Sequence, residues 1–299
     1  MQTALLLVPD FLLIVIGWGV CRYSPLGRPV WDGAERLVYY LLFPALLFEA
    51  IVRHPLQPGT AWPMAACAAG ITLTGIALAL SLAAWPGVEA RTHASGAQTA
   101  FRFNSYIALA LAARVSGAEG LAGMALLIAV CVPLCNVAAV WPLARQGGQG
   151  YLRELSRNPL ILATGAGLAF NLLQWRLPEL AALTLSRMGA AALPLGLMAV
   201  GAGLALGGLR AAPGLAAALL ALRHAVLPLV AISLALAFAL PVEQRRIAVA
   251  FGALPTSAAA YVLAARLGGN ASYVAGIVTL STVLAMFTLP LWLALAPRL

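Results

Sequence analysis

The chain echoes itself at a fixed interval. Pro9, Gly17 and Pro44 recur as Pro159, Gly167 and Pro194, each 150 residues on, and Ala112-Ala113-Arg114 with Gly117 recur as Ala264-Ala265-Arg266 with Gly269, 152 residues on. Matches that hold their interval over two long stretches point to an internal duplication into segments 1–150 and 151–299. What two such copies can build depends on their solvent. Hydrophobic residues make up 63% of the chain and charged residues 9%, whereas a soluble domain carries about a quarter charged residues. That composition suits a bilayer. If each copy holds an odd number of spans, the second copy is inserted upside down relative to the first.

A span needs about 20 apolar residues. Apolar runs between Pro, Gly and charge clusters predict ten of them, near 5–21, 34–53, 61–84, 97–114, 120–143, 159–175, 187–208, 214–240, 246–265 and 271–296. Five per half is odd. The expected fold is therefore an all-α polytopic membrane protein with ten transmembrane helices in a 5+5 inverted repeat, joined by the polar stretch from Arg145 to Asn158. The first run contains Asp10 and lacks a basic leader or a small-residue cleavage site, so it reads as a retained span.

The net charge of +9 comes entirely from arginine. In a soluble protein it would suggest nucleic acid. Here the arginines sit in short loops, where they set topology and meet phosphate headgroups, so membrane lipid is the expected partner and nucleic acid is not. The first loop (Arg22, Arg28, Arg36) and the central linker (Arg145, Arg153, Arg157) lie on the side opposite the termini. The positive-inside rule then places both termini on the extracytoplasmic side of a cell (inner) membrane. Cys131 and Cys135 share a helix face, but no His, Asp or Glu lies near them in sequence, so they read as buried filler and no metal or cofactor is expected.

The fourth and ninth predicted spans, equivalent in the two halves, carry signs of a broken backbone. The fourth reads Gln98-Thr99-Ala100-Phe101-Arg102-Phe103-Asn104-Ser105-Tyr106 and the ninth Gly252-Ala253-Leu254-Pro255-Thr256-Ser257-Ala258-Ala259-Ala260-Tyr261. At the 152-residue interval Asn104 falls opposite Thr256, and Phe103 opposite Pro255. Pro255 lacks a backbone donor and crowds the preceding turn, while Asn, Thr and Ser can bond freed backbone groups. Non-helical backbone at membrane depth is tolerated where it lines a cavity or is buried in protein. A repeat-related pair of breaks is a pointer to a transport site, and half-helix N-termini there would favour an anion such as a carboxylate. The alternative is a simple proline kink with Ser and Thr packed between helices.

Arg102 costs roughly 2.5–3.5 kcal/mol to place in a span. It either pairs with a substrate carboxylate or turns out to headgroups and the loop around Glu89. Asn136, flanked by Pro133 and Pro142, either meets substrate or bonds a neighbouring helix. Arg223 and His224, early in the eighth span, read as a pair reaching to the membrane surface, and Glu49 with Arg53 as a helix-end ion pair. Gly196, Gly201 and Gly203 read as points of close helix approach.

Several runs together resemble the auxin efflux carrier family, which includes the plant PIN-formed exporters and bacterial permeases assigned to malonate or malate. They are Phe101-Arg102-Phe103-Asn104-Ser105-Tyr106-Ile107, Asn158-Pro159-Leu160-Ile161-Leu162, Leu193-Pro194-Leu195-Gly196-Leu197, and Leu254-Pro255-Thr256-Ser257 followed by Tyr261-Val262-Leu263-Ala264. The likeness runs in order from Pro9 to Pro290. It implies a fold related to bile-acid symporters, with a scaffold from spans 1, 2, 6 and 7 and a moving transport domain from spans 3–5 and 8–10. In that fold spans 4 and 9 cross at their breaks and an anion sits beside the crossing. Asn104 and Pro255-Thr256 are then the crossing positions, Asn136 is a polar neighbour, and a homodimer through the scaffold is implied. Two departures stand out: the fourth-span break carries Phe103-Asn104 in place of a proline, and no long loop joins the halves.

The expected function is alternating-access transport of a small organic anion by rocking or elevator movement. The candidate substrate-binding residues are Arg102, Asn104, Ser105, Tyr106 and Asn136 from the first half, with Pro255, Thr256, Ser257 and Tyr261 from the second. The alternative carrier is a sodium- or proton-coupled symporter of the bile-acid type. A channel or sensor is a further class, which non-saturating flux would reveal. No paired intramembrane Asp, HExxH or Walker A pattern supports an enzyme, and the three His, at 54, 93 and 224, are scattered.

Overall fold

Alanine and leucine dominate the apolar runs and both favour helix. In a bilayer that preference becomes an obligation, because each backbone N–H and C=O must be satisfied within the protein. The structure, a computed structural model, describes residues 2–53, 58–84, 87–144, 159–205 and 208–296. The linker 145–158, where the sequence places the junction of the halves, lies outside the described residues, as does the Arg53 side chain expected to pair with Glu49. Glu49 itself is buried.

In chain order the helices are α1 (Gln2–Tyr23), α2 (Arg28–Leu37), α3 (Phe43–Arg53), α4 (Pro58–Ser81), α5 (Ala90–Phe101), α6 (Ser105–Ala144), α7 (Pro159–Leu172), α8 (Glu179–Ala202), α9 (Pro213–Ala221), α10 (Leu227–Ala237), α11 (Val242–Gly252), α12 (Ala259–Arg266) and α13 (Ala271–Leu295). Among the described residues, five stretches are long and apolar enough to cross a membrane: Ala61–Ala84, Ser105–Ala139, Glu179–Ala202, Pro213–Ala237 and Ala271–Leu295. The chain is thus an all-helical, multi-pass membrane protein. The predicted spans near 34–53, 97–114, 159–175 and 246–265 fall on helices that are shorter or interrupted. Within α6 the backbone leaves helical geometry at Ser116-Gly117, where Gly117 takes a φ of +58°, so this helix is kinked between the fourth and fifth predicted spans.

Two prolines are accommodated by the same device. A proline crowds the carbonyl four residues earlier and cannot bond it. Pro44 follows a π-helical turn at Val38–Leu42, and Pro228 follows one at Leu222–Val226. The wider π turn moves the crowded carbonyl aside. Ahead of Pro228 that carbonyl belongs to His224, and Trp292 Nε1 on α13 donates to it at 2.8 Å in place of the missing N–H.

Helix packing is tightest where glycine removes a side chain. A Cβ on Gly17 of α1 would overlap the Met198 carbonyl oxygen of α8, and one on Gly201 would overlap that of Ile14. A Cβ on Gly167 of α7 would lie 3.3 Å from the Phe48 carbonyl oxygen and 3.2 Å from Ile51 Cβ, both on α3. Phe48 and Ile51 stand 150 residues before Met198 and Gly201, as Gly17 stands before Gly167. The α1–α8 and α3–α7 contacts thus use positions at the interval of the sequence echo.

Candidate functional site

Pro255 stops α11 by withdrawing a donor from the Phe251 carbonyl, and the chain runs non-helically until α12 begins at Ala259. In the other arm α5 ends at Phe101, and Arg102 takes an extended conformation (φ −78°, ψ 127°) before α6 begins. The two extended pieces lie antiparallel and pair at Phe103 and Thr256. Asn104 N–H donates to the Pro255 carbonyl at 2.9 Å, and Ser257 N–H donates to the Arg102 carbonyl at 3.2 Å. The Phe103 and Phe251 rings meet edge to face with centroids 4.7 Å apart. Phe103, Asn104 and Thr256 are all buried.

A helix C-terminus leaves its last carbonyls unbonded, and at α5 each is taken by a different element. Thr256 Oγ1 donates to the Thr99 carbonyl at 2.6 Å, Arg223 Nη1 to that of Ala100 at 3.4 Å, and Cys135 Sγ to that of Phe101 at 3.4 Å. At the α11 end Arg223 Nη2 donates to the Phe251 carbonyl at 3.3 Å and Arg223 Nε to that of Leu254. Arg223 therefore replaces the donor that Pro255 lacks and binds both interrupted helices at once.

This corrects the expectation that Arg223 and His224 reach to the membrane surface. Arg223 is 2% exposed and His224 6%. Insertion of an arginine costs roughly 2.5–3.5 kcal/mol, whereas a hydrogen bond to a charged group contributes about 1.5–3 kcal/mol. Three such bonds, at the negative ends of two helices, favour the inward position. His224 closes the rear of the same knot. Its Nε2 lies 2.8 Å from Ser281 Oγ and its Nδ1 3.0 Å from Thr288 Oγ1, while Ser281 Oγ accepts the Thr256 N–H at 2.9 Å.

The N-terminal ends are capped from within. Asn104 Oδ1 accepts the N–H groups of Tyr106 (3.0 Å) and Ile107 (3.2 Å), the geometry of an N-cap. Ser257 Oγ accepts the Ala259 N–H at 3.2 Å. Among the described residues Asn104 Nδ2 has no hydrogen-bond partner although Asn104 is 1% exposed, and the same holds for Gln98 Oε1, one helical segment earlier.

The crossing thus brings together Arg102, Asn104, Ser105, Pro255, Thr256 and Ser257 of the expected residues. Tyr106 lies at its edge, with its ring 4.4 Å from that of Phe43 and packed into the notch left by Gly196. Asn136 is half-buried, next in sequence to Cys135, which bonds the crossing. Tyr261 is 41% exposed on the far side of the first turn of α12 and is not gathered in. Arg223, His224, Ser281 and Cys135 were not among the residues expected there. The signal that could have marked Arg223 is Pro228, which opens the π turn on which it stands.

A family model described as membrane transport protein matches residues 142–293, a stretch that contains α7 to α12, most of α13 and the second arm of the crossing. No curated protein matches the chain.

Proposed function

Because this chain belongs to the membrane transport protein family, that of the auxin efflux carriers, we propose that it is an alternating-access carrier of a small organic anion bearing a carboxylate. The observation that carries this reading is the Asn104 amide. Its oxygen is occupied in capping α6, its Nδ2 donor is buried without a partner among the described residues, and it stands where two interrupted helices pair. A buried donor left unbonded costs about 1–3 kcal/mol, and a ligand oxygen would recover that. Support for an inverted repeat comes from the glycine contacts, which recur 150 residues apart in the α1–α8 and α3–α7 pairs. In this reading α1, α2–α3, α7 and α8 form the scaffold, the remaining helices form the moving body, and Tyr106 against Gly196 is a contact between the two. A cytoplasmic negative potential drives a monoanion outward at about 2.3 kcal/mol per 100 mV, so an uncoupled carrier exports.

The test is thermal stabilisation of the purified protein by a panel of mono- and dicarboxylates, on wild type and Asn104→Asp. Aspartate keeps the capping oxygen but replaces the free donor with negative charge, and its unliganded melting transition shows whether the fold is retained. At about 100-fold over Kd a ligand stabilises by roughly 2.7 kcal/mol. The expected result is stabilisation of wild type by at least one carboxylate and none of the variant. Equal stabilisation of both, or none of wild type by any carboxylate at millimolar concentration, sinks the reading.

A further inference from the structure

We infer that Arg223 sets the charge preference of the crossing: it is a specificity-determining residue for anionic substrate as well as a tie between two helix ends. The inference rests on the carrier reading above. Four helix ends meet at this point, the C-termini of α5 and α11 and the N-termini of α6 and α12. Each carries about half an elementary charge, negative at a C-terminus and positive at an N-terminus. Two of each sum to about zero. The backbone of the crossing on its own therefore has little preference for either sign.

Arg223 adds a full positive charge to that balance. Its Nε, Nη1 and Nη2 all donate to carbonyls. No carboxylate among the described residues bonds it, and the ion pairs of Arg28 and Arg246 belong to other helices. A cation held by neutral carbonyls keeps its field, whereas one held by a carboxylate surrenders most of it. Burial matters as much as bonding. Arg102 stands at the same crossing and is only partly buried, whereas Arg223 at 2% exposure acts through protein and keeps more of its field. At an effective dielectric constant near 20, a unit charge about 10 Å away changes the affinity of a monoanion on the order of ten-fold.

The test compares acids with their neutral amides. Malonate against malonamide and benzoate against benzamide are titrated into the purified full chain, as wild type, Arg223→Lys, Arg223→Gln and Cys135→Asp. Lysine keeps the charge with fewer bonds, and glutamine keeps donors without the charge. Cys135→Asp leaves the guanidinium in place and sets a carboxylate beside it, because Cys135 Sγ bonds the carbonyl adjacent to the one held by Arg223 Nη1. The expected result is an acid-over-amide preference in wild type and Arg223→Lys. That preference falls on the order of ten-fold in Arg223→Gln and in Cys135→Asp, with amide affinity unchanged. A purely structural Arg223 would weaken acid and amide alike, or leave the ratio as in wild type. Either result in Arg223→Gln, or in Cys135→Asp if the glutamine variant does not fold, overturns the inference. So does an Arg223→Lys protein with the ratio of the glutamine variant. Wild type without preference for either acid is a separate outcome, which overturns the anion reading itself and removes the basis of this one.

Discussion

The α1–α8 seam and the α5–α11 crossing both bring backbone close to backbone, by opposite means. At the seam both helices run on unbroken past the contact, so approach needs nothing but the absence of side chains at Gly17 and Gly201. At the crossing the helices are interrupted, and the freed carbonyls are held by side chains from elsewhere: Arg223, Thr256 and Cys135. Contacts of the first kind fail through overlap and those of the second through loss of partners.

The largest expected effect lies at the seam. In Gly201→Ala the new Cβ overlaps the Ile14 carbonyl oxygen and lies 2.7 Å from its carbon and 2.9 Å from Trp18 N. Backbone on both sides cannot yield as a side-chain tip can. The expected cost is about 3 kcal/mol or more, read as a large fall in melting temperature or loss of monodisperse protein. Gly19→Ala, on the same helix with no atom within 4 Å, is expected to be neutral or to gain up to about 1 kcal/mol from helix propensity. Similar behaviour of the two variants would remove the distinction.

Gly196 tests an intermediate case, a glycine facing a side chain. A Cβ there would overlap Tyr106 Cδ1 and lie 2.8 Å from Cε1. Gly196→Ala should cost about 2 kcal/mol, and Tyr106→Ala in the same chain should restore much of the loss, because the obstacle is a ring. The same rescue is not available at Gly201. A double-mutant cycle in thermal unfolding measures it, and strict additivity would show that Tyr106 does not fill the notch.

The seam was far more legible in the sequence than the crossing. Gly17 and Gly167 stand out by their interval alone, and both prove to be points of close approach, because backbone contact leaves its mark as glycine in the chain itself. Pro255 likewise announces the end of α11. Arg223 does not, since an arginine early in an apolar run looks the same whether it turns outward or inward. What decides is a set of carbonyls from Ala100, Phe251 and Leu254, none of them near it in the chain. Tyr261 has no such mark either: the sequence does not fix where α12 resumes, at Ala259, and hence which face its first turn exposes.

The smallest effects separate a bond across the crossing from one within a helix. Thr256 Oγ1 donates to the Thr99 carbonyl in the other arm, and Thr282 Oγ1 donates to the Val278 carbonyl one turn back on its own helix. Both residues are fully buried and valine matches threonine in shape. Thr256→Val strands a C-terminal carbonyl of α5 and should cost about 1–2 kcal/mol. Thr282→Val leaves a carbonyl that already has its helical N–H partner, so it should cost less than about 0.5 kcal/mol, because such back-bonds contribute little to a helix. The comparison is made by thermal unfolding in one detergent. If the two losses are equal, the hydroxyl of Thr256 is a space-filling group and the two arms are held by Arg223 and the Phe103–Thr256 pairing without it.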